Sequence, residues 1–334
     1  MNSQNWPWKP GESLRFDRFM DLALHDPERG YYARRIRGVG RGGDFTTTPM
    51  LTPALGKAVA AWAESAMRAT GCRDLIELGP GEGLLAQAVL AGLPWLRRMR
   101  VRLHLVERSV PLREKQRARL GSKVRWHESI EAALEACQGR ACIYSNEFAD
   151  AFPVRRFRRE AAGWSELHLS PAEAWRGCDE LPDSSASELQ HSIGQVVEVG
   201  EMYHRWLEGW LPSWQAGRML TLDYGAPIGR LYHRRPRGSV RAYLMQQRLE
   251  GPAIYENPGR QDLTADVNFT DLQRWAAPWL ETVNLVSQRD FLLAHADASQ
   301  AGDAHAIDAQ GAGAAFLVLD QAPLPALRRG PDAA

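Results

Sequence analysis

Asp74-Leu-Ile-Glu-Leu-Gly-Pro-Gly-Glu-Gly83 places an acid, Glu77, two residues before the first of three glycines at alternate positions. Glycines at 79, 81 and 83 carry no Cβ, so the backbone can turn sharply, lay its NH groups against a ligand and enter a helix that begins near Leu84. The chemistry this suits is recognition of a nucleotide-like cofactor where a strand ends. A second acid, Glu107, closes the run Val101-Arg-Leu-His-Leu-Val106, and a carboxylate at the end of the next strand is placed to accept from both ribose hydroxyls. The plainer reading of Glu107 is a charge that favours the start of the helix near Pro111.

The details of the loop bear on which cofactor. A dinucleotide fingerprint asks for a small residue at the sixth position, where Leu84 stands. An ionised Glu77 in a buried strand is costly unless it meets a partner, which suits a cationic or hydrogen-bond-rich ligand. S-adenosylmethionine offers an amino group and a sulfonium, and the acid-x-Gly-x-Gly-x-Gly run resembles motif I of class I methyltransferases.

The surrounding pattern supplies the frame. Strands are predicted at 74–78, 101–106, 123–127 and 141–145, with helices over 83–91 and 111–120, an alternation that gives a parallel sheet with crossover helices. Asn146-Glu-Phe-Ala-Asp150 follows the strand ending at Ser145, and Arg218-Met-Leu-Thr-Leu-Asp223 restores an apolar strand that also ends in an acid. Polar side chains at the carboxyl end of such a sheet face its ligand crevice, so Asn146, Glu147, Asp150 and Asp223 are candidates for chemistry. A helix start capped by Asn146 is the alternative. Upstream, a helix is expected over 13–25 and another from Pro53 to Ala69. Between them a loop with four glycines from Gly38 to Gly43 leads into Asp44-Phe-Thr-Thr-Thr-Pro49, either a cover over the ligand or a glycine loop with a Thr helix cap. Residues 156–215 break the repeat and read as an inserted lid, with an amphipathic helix at 201–211. Late strands are expected at 281–286 and 315–320. The organisation expected is an N-terminal helical segment and glycine-rich loop (1–70), the cofactor-binding half of the core (71–155), the insertion (156–215) and the remainder of the core (216–334).

Composition narrows the classes. The 334 residues are 44% hydrophobic with a formal net charge of +1, enough for a large core and no field for nucleic acid or an anionic membrane. One basic run, Arg155-Arg156-Phe157-Arg158-Arg159, reads as a solvated strand face or, alternatively, a grip on an acidic partner. Four cysteines without Cys-x-x-Cys spacing and nine histidines without His-x-His or His-Glu-x-x-His give no metal or disulfide signature. With no targeting or membrane segment in the sequence, the expectation is a soluble cytoplasmic protein with no metal and an oligomeric state left open.

Six separated pieces, in order, resemble the MidA-type class I methyltransferases, whose mitochondrial members are protein arginine methyltransferases serving complex I assembly. They are Pro27-Glu-Arg-Gly-Tyr-Tyr32, Gly43-Asp-Phe-Thr-Thr47, Glu77-Leu-Gly-Pro-Gly81, Asn146-Glu147 with Asp150-Ala-Phe-Pro-Val154, Leu222-Asp-Tyr-Gly225, and Arg241-Ala-Tyr243 with Asp262-Leu-Thr-Ala265. The resemblance implies a Rossmann-like core that binds S-adenosylmethionine through Glu77, Gly79, Pro80, Gly81, Gly83, Glu107 and Asn146. It places Asp44, Glu147 and Asp223 on the methyl-acceptor side as catalytic acids, with a protein as substrate. The chain departs from the family at Thr48-Pro-Met-Leu-Thr52, which lacks a carboxylate the family often has there, at Met245-Gln-Gln-Arg248 and at Asp266. Two other readings stand beside this one, a noncatalytic S-adenosylmethionine-binding assembly factor and an NAD(P)-dependent oxidoreductase.

Overall fold

The computed structural model describes residues 6–8, 11–34, 52–170, 172–245, 247–296 and 303–325. Asp44 and the glycine-rich loop around it lie outside these residues. The chain forms two compact units, one of residues 46–148, 207–224 and 273–334, the other of residues 1–45, 149–206 and 225–272.

The first unit is built on one twisted sheet. Its strands are β1 (Asp74–Leu78), β2 (Arg102–Val106), β3 (Val124–His127), β4 (Ala141–Asn146), β5 (Met219–Ala226), β6 (Leu280–Ser287) and β7 (Phe316–Pro323), in the spatial order β6-β7-β5-β4-β1-β2-β3. From β3 to β5 all pairs are parallel, as the alternating pattern predicts. At the other edge the sheet is antiparallel, because the chain after β6 turns back and enters between β5 and β6 from the opposite end. Every residue of β1 is buried, the near-continuous apolar run expected of a central parallel strand covered on both faces.

Helices of this unit include α1 (Pro53–Thr70), α2 (Leu84–Gly92), α3 (Trp95–Arg100), α4 (Val110–Leu120), α5 (Ile130–Ala136) and α6 (Gln288–His295). Helix α1 starts where the Thr52 side chain accepts from the Ala54 NH with Pro53 in the first turn, and stops at Gly71, whose φ of 71° ends the helical ladder. Helices α1 and α2 meet on small residues: a Cβ on Gly56 would lie 2.3 Å from Ala88 Cβ. The core beneath gathers Leu55, Val59, Trp62, Leu75, Leu105 and Leu222. At the antiparallel edge, Asp320 takes the Trp62 indole NH at 2.8 Å and the Arg218 guanidinium.

In the second unit an antiparallel sheet joins Leu14–Arg15, Gly163–Leu169, Arg155–Glu160 and Val196–Val199, with Glu173–Cys178 paired to Gly163–Leu169. Strands from the expected insertion thus pair with the N-terminal segment. Two arginines of the basic run, Arg155 and Arg156, are not free surface. Arg155 is bidentate to Glu166 and also reaches Glu201, while Arg156 is buried between Glu198 and the Tyr255 hydroxyl. Their acids come from the same unit, which is how buried guanidinium groups are accommodated. Asp150 is also enclosed here, its Oδ2 accepting from Thr264 Oγ1 at 2.7 Å, and Tyr32 donates to Asp262 at 3.2 Å. Since Arg241–Leu244 pairs with Asp262–Thr264, three of the quoted pieces meet through hydrogen bonds in this unit. No helix among the described residues is long and apolar enough to cross a membrane.

Candidate active site

Strand order locates the site before any side chain is considered. Outward from β1 the sheet runs to β2 and β3 on one side and to β4 and β5 on the other, so the loops leaving β1 and β4 diverge and open a crevice at their carboxyl ends. The glycine loop leaves β1, and Asn146-Glu147-Phe148 leaves β4.

The loop adopts the backbone its glycines permit. Gly79 has φ of 59° and Gly81 of 52°, a left-handed region that strains L side chains. A Cβ on Gly79 would strike the Phe148 ring at 2.6 Å, whereas on Gly81 it would meet nothing within 4 Å among the described residues. The first glycine is therefore needed for packing, and the second has open space where a side chain would stand. Helix α4 holds the loop from behind. Gln116, fully buried, donates from Nε2 to the Gly81 carbonyl at 2.7 Å and more distantly to Glu107 Oε2 at 3.5 Å, while its Oε1 accepts from the Trp126 indole at 2.9 Å. Lys115 pairs with Glu82 at 2.8 Å, and Arg119 donates to the Glu82 carbonyl at 3.0 Å.

Glu107 sits beside this clamp. Its Oε1 accepts from the Ser109 NH at 2.8 Å, and burial pushes its carboxyl up to about 7 against the donors that favour the charge. Glu77 points into the protein, 2% exposed, with Oε2 accepting from the Tyr144 hydroxyl at 2.8 Å. Burial pushes it up to about 8 and the tyrosine offsets only part of that, so without a cationic neighbour Glu77 retains its proton near neutrality.

On the other side of the crevice, Asn146 closes β4. Its Nδ2 donates to Glu147 Oε1 at 3.1 Å, and its buried Oδ1 has no hydrogen-bond partner among the described residues. Glu147 has φ of 51°, uncommon for a residue with a side chain, and its NH donates to the Leu222 carbonyl at 3.0 Å. Asp223 is fully buried; Oδ2 accepts from the Phe148 NH at 3.1 Å and Oδ1 from the Tyr224 NH at 3.0 Å. The carboxylate expected on the acceptor side fastens the 146–148 loop, accepting from backbone NH groups at two strand ends.

These residues fit S-adenosylmethionine. The Glu107 carboxylate and the buried, orphaned Oδ1 of Asn146 seek donors, which the cofactor brings in its ribose hydroxyls and amino groups, and beside Gly81 there is open space within 4 Å of where a side chain would stand. Pro80 and Gly83 belong to the same turn, closed by the Gly83 NH donating to the Pro80 carbonyl at 2.8 Å. Gln116, Tyr144 and Phe148 complete the arrangement although neither spacing nor motif marks them; each acts from another element, a relation the linear sequence does not display.

Comparison with known proteins agrees. Residues 58–284 match the model of a family described as "Putative S-adenosyl-L-methionine-dependent methyltransferase". The Drosophila melanogaster protein arginine methyltransferase NDUFAF7 homolog, mitochondrial, is 29% identical over 298 residues, covering 75% of this chain and 64% of that protein. The Homo sapiens protein arginine methyltransferase NDUFAF7, mitochondrial, is 26% identical over 322 residues, covering 82% and 68%. A Burkholderia thailandensis COG1565 superfamily member, solved with S-adenosyl-homocysteine bound, superposes with a TM-score of 0.80 at 25% identity, covering 97% of this chain and 90% of that one. The nicotinamide reading falls with these findings, and the chain belongs to the MidA-like family of S-adenosylmethionine-dependent methyltransferases, with S-adenosylmethionine as its cofactor.

Proposed function

We propose that the protein methylates an arginine of a protein substrate. The observation that carries this is the Asn146-Glu147 pair at the mouth of the crevice, one strand from the glycine loop, with Glu147 held in a strained backbone conformation. An arginine guanidinium is cationic and nearly nonnucleophilic, so an enzyme acting on it must offer a carboxylate that aligns a nitrogen and eases the departure of its proton. Glu147 supplies that carboxylate, and the Asn146 amide fixes its direction. Asp223 acts through the loop it fastens, as a positioning residue. Asp44 is the second acid assigned to the acceptor side by the family pattern.

When bound, the cofactor supplies an electrophilic methyl carbon on a sulfonium. An arginine nitrogen that receives the methyl group must lose one proton, which Glu147 would take or pass to water. The rest of the work is alignment and exclusion of competing water, for which the Gln116 clamp and the Phe148 packing hold the two loops in register. The names of the curated relatives support the choice of acceptor.

The test is incubation with labelled S-adenosylmethionine and cell lysate, followed by peptide mapping. Label on arginine, lost in Glu147→Gln, is the expected result. Cofactor binding with no label transferred to any protein would favour a noncatalytic assembly factor, and label confined to another residue type would replace arginine as the acceptor.

A further inference from the structure

Register divides β1, β2 and β3 into two faces. Glu77, Leu105 and Trp126 lie in one row on one face; Asp74, His104 and His127 point to the other. On that second face Asp74, His104 and Cys137, the residue that ends α5, converge in the interior with 2%, 0% and 5% exposure. One carboxylate oxygen, one ring nitrogen and one sulfur lie within 4.8 Å of one another. Asp74 Oδ1 is 3.0 Å from His104 Nε2, and Cys137 Sγ is 3.5 Å from the same nitrogen.

We propose that Asp74, His104 and Cys137 form a structural binding site for a divalent cation of the zinc type. In tetrahedral zinc coordination the N···S edge is about 3.5 Å and the N···O edge about 3.3 Å, given ordinary zinc–ligand bond lengths. The two measured edges therefore fit a shared cation with a shift of a few tenths of an ångström. Mixed oxygen, nitrogen and sulfur donors suit zinc, a borderline ion that accepts all three. The outer partners are also in place. His104 Nδ1 lies 2.9 Å from His127 Nε2, a contact that orients the ring and, with Nδ1 as the donor, would leave the Nε2 lone pair for an ion, and Arg102 pairs with the remaining oxygen of Asp74. A thiol that binds the cation gives up its proton to solvent, and carboxylate and thiolate together neutralise the cation. The three ligands come from β1, β2 and the end of α5, so an ion would cross-link them away from the crevice.

The full chain, stripped with chelator, is titrated with Co2+ alone and followed by absorption. One equivalent is expected to produce a sulfur-to-cobalt charge-transfer band, and Zn2+ should displace it. Cys137→Ser should abolish the band and weaken Co2+ binding by more than the roughly 10–100-fold that loss of an outer partner costs. Cys178→Ser should retain it. Absence of the charge-transfer band from the unmodified protein would overturn the proposal without recourse to any variant, as would a band that persists in Cys137→Ser. Thermal unfolding gives a second readout. Zn2+ should raise the melting temperature of the unmodified protein and of Gly81→Val alike, and no rise in either would count against the site.

Discussion

The two faces of β1–β3 use polar groups in opposite ways. On the Glu77 face and at the strand ends beyond it, side chains bond one another, Glu77 with Tyr144 and Gln116 with Trp126, and also engage backbone groups of loops: Gln116 the Gly81 carbonyl, Glu107 the Ser109 NH, Asp223 the Phe148 NH. On the other face, among the described residues, the bonds around Asp74 and His104 join side chains alone, Asp74 with His104 and Arg102, His104 with His127 and Cys137. The first arrangement shapes loops around something from outside the chain. The second closes on itself, with room for a proton or an ion. Orientation of loop backbone, more than the number of charged residues, thus separates the cofactor side of this sheet from its structural side.

The sharpest way to break that comparison is Gly81→Val. At φ of 52° a β-branched residue costs about 1–2 kcal/mol of backbone strain, and its side chain would project into the open space beside the loop. S-adenosylmethionine affinity measured by calorimetry should fall below detection while the fold persists; unchanged affinity would sink the assignment of the loop. Glu147→Gln comes next. Methyl transfer should drop by about 100-fold or more, the scale of a lost acid–base group, with cofactor affinity unchanged. A parallel loss of both would move Glu147 to the cofactor side.

Legibility in the sequence follows the same division. The glycine loop, Glu107 and the parallel strands could be read because their signals are contiguous: an apolar run, its terminal acid and the spacing of small residues all fall within a few positions. Asp74, His104, His127 and Cys137 come from four elements and share no spacing rule, so scattered histidines and an isolated cysteine gave no metal signature until register brought them onto one face. Asp223 was visible as a strand-end acid, yet its burial depends on backbone NH groups from β5 and the 146–148 loop that no local pattern reveals. Arg155 and Arg156 of the basic run are not free surface for a similar reason, the acids they pair with lying 11 to 46 residues away in sequence. Antiparallel entry of β7 escaped prediction because an apolar run carries no direction.

Glu107 allows a test by pH. Its folded carboxyl, raised to about 7 from an ordinary 4.5, keeps a proton the unfolded chain has already lost, so its contribution to stability is present below 4.5 and is lost as pH rises through about 7. Ribose hydroxyls donating to the carboxylate favour the ionised form, so cofactor binding should release a proton. Affinity should tighten by about tenfold per pH unit at most on the acid side and flatten above 7. Glu77, raised to about 8, adds its own dependence at higher pH. Glu107→Gln should remove the lower segment and leave the upper one. A lower segment that survives this change would assign it to another group.

The smallest expected effect is the most discriminating for the clamp. Gln116→Leu keeps the volume near that of the native side chain and removes both ends of the amide, leaving the Trp126 indole NH and the Gly81 carbonyl without their partner. Each lost bond costs about 1–3 kcal/mol where the remaining group stays buried, so the melting temperature should fall. What separates a positioning role from simple destabilisation is the affinity ratio. If Gln116 holds the loop for the cofactor, S-adenosylmethionine should bind about tenfold more weakly at a temperature where the variant is fully folded, whereas Zn2+ should stabilise it as much as it does the unmodified protein, since the Asp74–His104–Cys137 cluster lies on the opposite face of the strands. Equal losses in both responses would mean that α4 supports the whole sheet, and the contrast between the two faces would then reflect one shared scaffold instead of two separate networks.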